Sequence, residues 1–355
     1  MIIFLCAAVV LMFIFYVPQI ARGNDVIIKD YISKEAVLPI KGFFVLLVFM
    51  SHFIGYASLN PGILDSLFVK LIGLIGQLMV VMFLFYSGFG IYESYKQKGQ
   101  PYVQKFMSHR LLPTWISFAI CLFVYLLASI FFKSNYSLDT VILSFTGWTA
   151  IGNSNWFMFD TFVLYLIFLL VFSLVKQEHL RLPVFIGMTC ALIGILFYLK
   201  ESWWWNTLLC FPAGMIFSRY KDKIDTYIEK SNKRWWIAFV FSLISFVAFY
   251  ILGVTVSGAF YLIAATIFAA VVVVFSMKVK FRSVPFSFLG KHVFSIYILQ
   301  RLIFTILSSC FQNPYLLFVS ALTITLTVAY IYDKVFDICR VILSSFFHRK
   351  EVANE

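Results

Sequence analysis

Charge is what this sequence has least of. Asp, Glu, Lys and Arg together make 12% of its 355 residues, where soluble domains carry about 25%. Acids are scarcest, 16 against 28 Lys and Arg, and His occurs five times. The six cysteines (Cys6, Cys121, Cys190, Cys210, Cys310 and Cys339) lie scattered in apolar runs, with no CxxC pair and no His at metal-ligand spacing. They read as small packing residues, and no metal site is implied. Also missing are internal repeats, low-complexity tracts and any polar stretch long enough for a soluble domain. These absences exclude a disordered chain, a nucleic-acid-binding module and an ordinary cytosolic enzyme.

What is present is apolar: 62% hydrophobic and 20% aromatic residues, with 43 Phe. The composition and the long apolar runs define an all-α polytopic membrane protein, because a span needs about 20 apolar residues. About 10–11 transmembrane helices are expected. The candidate runs are 2–18, 42–59, 68–92, 112–132, 156–175, 183–199, 203–218, 235–253, 256–277, 285–311 and 314–332. Residues 1–355 are read as one membrane domain, with 1–18 an extra N-terminal span and 333–355 a tail. A signal peptide is the other reading of 2–18, but no basic stretch precedes it and no A-x-A-like site follows. In 333–347, polar Asp333, Asp337, Arg340 and Ser344 recur at steps of four, three and four. That is an amphipathic helix on the cytoplasmic leaflet or an extension of the last span.

Basic residues set the orientation. All but five fall in one alternating set of loops. Lys70, Lys133 and Lys200 lie in the other set, and Lys291 and Arg301 inside a span. The N-terminus is therefore expected outside and the C-terminus in the cytoplasm.

Ionisable residues within apolar spans are functional candidates. Lys41 and His52 are eleven residues apart, so on a helix they point about 20° from one another with a rise of about 16.5 Å. A cation at the cytoplasmic mouth and a titratable ring deep on the same face suit a site entered from the cytoplasm. A His bonded to a neighbouring helix for packing is the other reading. Ser87, Gly88 and Gly90 put small residues at one helix end. The basic loop after it, with Lys96, Lys98, Lys105, His109 and Arg110, ends at Pro113. It suits a polyphosphate, although plain topology explains Lys96 and Lys98. Trp156 and Asp160 are i, i+4 neighbours, suited to a sugar ring by stacking. Trp203, Trp204 and Trp205 read as an interfacial belt. In 285–311, Lys291, His292 and Ser295 share one face, while Tyr297, Gln300 and Arg301 lie deeper on another. Arg301 keeps its proton and needs an acceptor, and Asp160 is the expected partner.

Taken in order, these segments resemble the bacterial acyltransferase family 3, integral membrane O-acyltransferases of surface glycans. The resemblance rests on Lys41, Gly42 and His52; on Phe83, Phe85, Ser87, Gly88 and Phe89; on Arg110, Leu111, Leu112 and Pro113; on the Trp156-led helix; and on Phe288, Leu289, Gly290, Ser295 and Tyr297. It spans about residues 38–332. Departures are Lys41 where many members have Arg, Met107 where many have a second Arg, and Gln300 where a His is common. The resemblance implies cytoplasmic acyl-CoA, usually acetyl-CoA, as co-substrate. It implies a glycan or lipid-linked sugar hydroxyl as acceptor, membrane lipid as surroundings, no nucleic acid, and a bacterial cytoplasmic (inner) membrane. Homodimerisation stays open. CoA phosphates would meet Lys41, Arg110 and Lys105, with Ser87 beside them. His52 would be the general base or the acyl acceptor, with Tyr297, Arg301 or Gln300 at the oxyanion and Trp156 and Asp160 at the acceptor. The rival reading is a transporter or flippase of a lipid-linked sugar or acyl group. Against it, no repeated halves and no paired Gly/Pro-broken helices are found.

Overall fold

The structure, a computed structural model, describes residue 1 and residues 19–20, 26–59 and 62–352, with side chains to 339. Expected span 2–18 lies outside these. The described chain is a helical bundle with one two-residue antiparallel pair, β1 (Gln19–Ile20) on β2 (Val279–Lys280). Its helices are α1 (Lys34–Phe53), α2 (Ile63–Ile75), α3 (Leu78–Lys98), α4 (Gln100–Phe106), α5 (Leu112–Phe131), α6 (Leu138–Ser144) and α7 (Trp156–Leu174). There follow α8 (Glu178–Leu199), α9 (Cys210–Glu229), α10 (Asn232–Thr255), α11 (Gly258–Lys278), α12 (Val284–Lys291), α13 (Val293–Ser308) and α14 (Pro314–Val352).

Among the described residues, eight stretches are long and apolar enough to cross a membrane. They match the expected runs from 42–59 to 183–199, then 235–253, 256–277 and 314–332. Three expectations change. Run 203–218 is a short turn at Ser202–Trp204 followed by α9, which turns charged after Ser218. Run 285–311 is two helices, α12 and α13, broken at His292. Run 42–59 stops at Phe53, one residue past His52, but starts earlier, at Lys34. There Ser33 caps the helix by accepting from the Ala36 N–H, which satisfies an otherwise orphaned donor. The amphipathic 333–347 segment continues the last span as part of α14.

Apolar side chains gain little by packing on each other in lipid, so close helix contact falls to small residues. Two reciprocal glycine crossings build the centre. A Cβ on Gly42 would lie 1.8 Å from the Phe286 carbonyl oxygen, and one on Gly290 2.0 Å from that of Leu38, which locks α1 to α12. A Cβ on Gly88 would lie 2.0 Å from the Phe211 oxygen, and one on Gly214 2.1 Å from that of Phe85, which locks α3 to α9. Ser218 donates to Glu93 at 2.8 Å, and Lys96 pairs with Glu93 at 2.9 Å and donates to the Ser218 carbonyl at 3.0 Å, so Lys96 has a structural task between α3 and α9. The α10–α11 pair lies to one side, and α10 buries almost none of its length in the protein, as a lipid-facing helix should.

Candidate active site

Between these crossings lies a cavity of about 510 Å³, walled by α1, α3, the α4–α5 junction, α7, α12, α13 and α14. Lys41, Arg110, His109 and Lys291 stand in its wall on the side where the basic loops gather, and Phe83, Phe157, Thr161 and Tyr297 line it further along these helices. The Lys41 ammonium sits 5.7 Å from the centre of the Tyr86 ring, and the Arg110 guanidinium 5.8 Å from that of Tyr165. Tyr165 shares a hydrogen bond of 2.9 Å with Ser87, which also lines the wall. Neither cation has an ion-pair partner among the described residues.

Arg110 reaches the cavity through a local distortion. Residues Met107–Leu111 wind with the wider π spacing, and the Leu112 N–H reaches back to the Met107 carbonyl. Pro113 follows and has no N–H to continue the ladder. Such a bulge re-aims side chains and recurs at functional sites. It brings His109 and Arg110 to the wall, whereas Lys105 stays exposed and outside it.

His52, in the last turn of α1, lies just behind the wall. Its ring centre is 6.1 Å from that of Tyr297. Its Nδ1 is 2.9 Å from Gln300 Nε2, which also donates to the Tyr297 carbonyl at 3.2 Å. Placing the amide oxygen there instead would set two oxygens against each other, so the carbonyl fixes the amide's orientation. An amide nitrogen can only donate. Nδ1 therefore accepts, and the neutral ring carries its proton on Nε2. Gln300 Oε1 and the Tyr297 hydroxyl are buried without a partner, as are Ser154 and both oxygens of Asp160. Asp160 is 0% exposed, while Trp156 is half-buried with its ring edge-on to Phe157 at 5.9 Å.

The expected Asp160–Arg301 pair does not form. Arg301 donates instead to the Tyr56 hydroxyl and to the Asn153 carbonyl, both at 3.2 Å. Backbone and phenol acceptors of the loops beyond α1 and α6 come closer than the carboxylate does. Tyr125 holds the same turn of α13. Its hydroxyl donates to the Ile298 carbonyl at 2.8 Å and accepts from the Leu302 N–H at 3.0 Å. One phenol thus replaces a rung of the helix that presents Gln300 and Arg301.

The sequence reading also missed Asp333. It lines the cavity and is bound by Ser295, and by His292 Nδ1 at 2.5 Å. The grouping of Lys291, His292 and Ser295 on one face is the signal for a shared partner, and the step-of-four polar pattern of 333–347 masks that Asp333 is it.

Membrane-length helices thus enclose a cavity with unpaired cations in its wall and an imidazole behind it. The family comparison makes this specific. Residues 40–334 match the model of the acyltransferase domain of acyltransferase family 3. The chain belongs to this family and is a multi-pass membrane acyltransferase. No curated protein and no solved structure matches it.

Proposed function

We propose that the protein transfers an acyl group, acetyl in the simplest case, from acyl-CoA on the cytoplasmic side to a hydroxyl of a cell-surface or lipid-linked glycan, in a bacterial cytoplasmic membrane. One observation carries this reading. The cavity begins at two cations that lack anion partners, Lys41 and Arg110, and extends to Tyr297, behind which His52 lies. The cations suit the CoA phosphates, by charge and, for Arg110, by two parallel hydrogen bonds. Ser87 and Tyr165 stand beside them. The pantetheine arm is thin enough to run along Phe83 and Phe157 toward Tyr297.

In the transfer, the acceptor oxygen attacks the thioester carbonyl carbon, the C–S bond breaks, and the acceptor's proton is passed on to the leaving thiolate. His52 is the acid–base group of this exchange. With its proton on Nε2 it donates a hydrogen bond to the developing oxyanion, together with the Tyr297 hydroxyl. To act as base it needs the other tautomer. That tautomer puts a proton on Nδ1 and so requires the bond from Gln300 Nε2 to be released first. Asp160, Ser154 and Trp156 stand outside the cavity lining, so as the acceptor side of the site they would have to open to it. Arg301 orients Tyr56 and the Asn153 loop around them.

The test is purified protein with labelled acetyl-CoA and glycan acceptor, the product read by NMR as an O-acetyl ester. Ester formation that is lost in His52→Ala supports the reading. Movement of the acceptor across vesicles with no ester formed would favour the transporter.

A further inference from the structure

At the N-terminal end of α12 a second cavity, of about 370 Å³, opens beside Glu35, Pro39, Lys280, Arg282 and Ser283. Ser283 occupies the N-cap position, where a serine hydroxyl ordinarily accepts from the helix's first turn. Here it makes no such bond. Its hydroxyl is buried without a partner although the residue is only 3% exposed. Pro285 removes one first-turn N–H, and those of Val284 and Phe286 have no carbonyl within the helix to reach. Lys280 is paired with Asp30, while Arg282 is exposed and has no ion pair among the described residues. Glu35 is the one carboxylate in the lining. Beside these polar groups Val284 is 84% exposed and Phe288 37%, an apolar strip next to a hydroxyl, N–H donors and a cation.

We infer that this cavity binds the phosphate of an anionic phospholipid, with the headgroup on Ser283, the Val284 N–H and Arg282, and an acyl chain along Val284 and Phe288. A helix N-terminus with N–H donors favours a phosphate, and a free phosphate shares that chemistry. The exposed apolar strip selects the lipid, since an inorganic ion has no use for it. Basic groups at the cytoplasmic face of a membrane meet anionic headgroups there. The site lies at one end of α12, whose other end supplies Gly290 and Lys291 to the larger cavity. A bound lipid therefore steadies the α12–α1 crossing that carries Lys41.

Delipidated full-length protein in detergent tests this by native mass spectrometry and thermal unfolding. Phosphatidylglycerol should bind in preference to phosphatidylcholine and raise the melting temperature. Arg282→Glu should weaken that preference by roughly five- to tenfold, Ser283→Val by less, and the exposed control Lys233→Glu should leave it unchanged. Equal binding of both lipids by the wild-type protein, or an Arg282→Glu variant that keeps the full preference, would overturn the site. Protection by inorganic phosphate equal to that by phosphatidylglycerol, and lost in Arg282→Glu, would overturn the lipid assignment. None of these readouts depends on catalysis.

Discussion

Cations in the two halves of this bundle are treated in opposite ways. On the side of the basic loops, Lys41 and Arg110 face a cavity over tyrosine rings, with no anion beside them. In the other half Arg301 and Lys200 are held by protein groups. Arg301 is spent on Tyr56 and the Asn153 carbonyl. The Lys200 ammonium lies 3.9 Å from the centre of the Trp148 ring and 4.3 Å from that of Trp204, and donates to the Trp148 carbonyl at 3.3 Å. Unpaired charge at a cavity is costly unless a ligand completes it, whereas charge held by π faces and carbonyls braces a loop. Cations in the first region should thus govern ligand binding, and those in the second should govern shape.

The largest expected effect falls where the regions meet. His52→Ala should lower kcat by about 10²–10⁴-fold, with the protein still folded in membranes, as checked by steady-state acyl transfer alongside size-exclusion profiles. Next, Arg110→Gln should raise the donor KM by roughly 10- to 100-fold, the worth of a charge-assisted hydrogen bond, with little change in melting temperature. Lys41→Met should act in the same direction. If either variant instead lowered stability and left KM alone, the cation would belong with the braces. Smaller again is Gln300→Leu, which frees both His52 tautomers. It should cut kcat by about tenfold at unchanged donor KM, and Gln300→His, able to donate to Nδ1, should recover most of the loss. The smallest is Lys200→Met. It should lower the melting temperature by about 1–4 °C and change kcat less than about twofold. A large rise in donor KM would erase the distinction between the halves.

Much of this was legible from residue order. Lys41 and His52 share α1, with Lys41 in the cavity wall and His52 behind it. Ser87 and Gly88 divided as small residues should, one to the cavity and one to a helix crossing. Other features lay in contacts a linear reading does not show. The break at His292 sits between two equally apolar stretches, so hydropathy ran through it. The bulge that turns Arg110 inward had one trace, Pro113, and nothing in the sequence gave its spacing. Arg301 was assigned a carboxylate because backbone carbonyls are invisible to a charge count. Gln300 read only as a departure from a family pattern, yet its two N–H groups set the His52 tautomer through the Tyr297 carbonyl.

A structure of the protein with CoA bound would show whether a route runs from the basic mouth to His52. The CoA phosphates should lie within hydrogen-bond distance of Lys41 and Arg110, and the sulfur between Tyr297 and His52. CoA bound elsewhere, or seated at the mouth with its thiol directed away from His52, would contradict it.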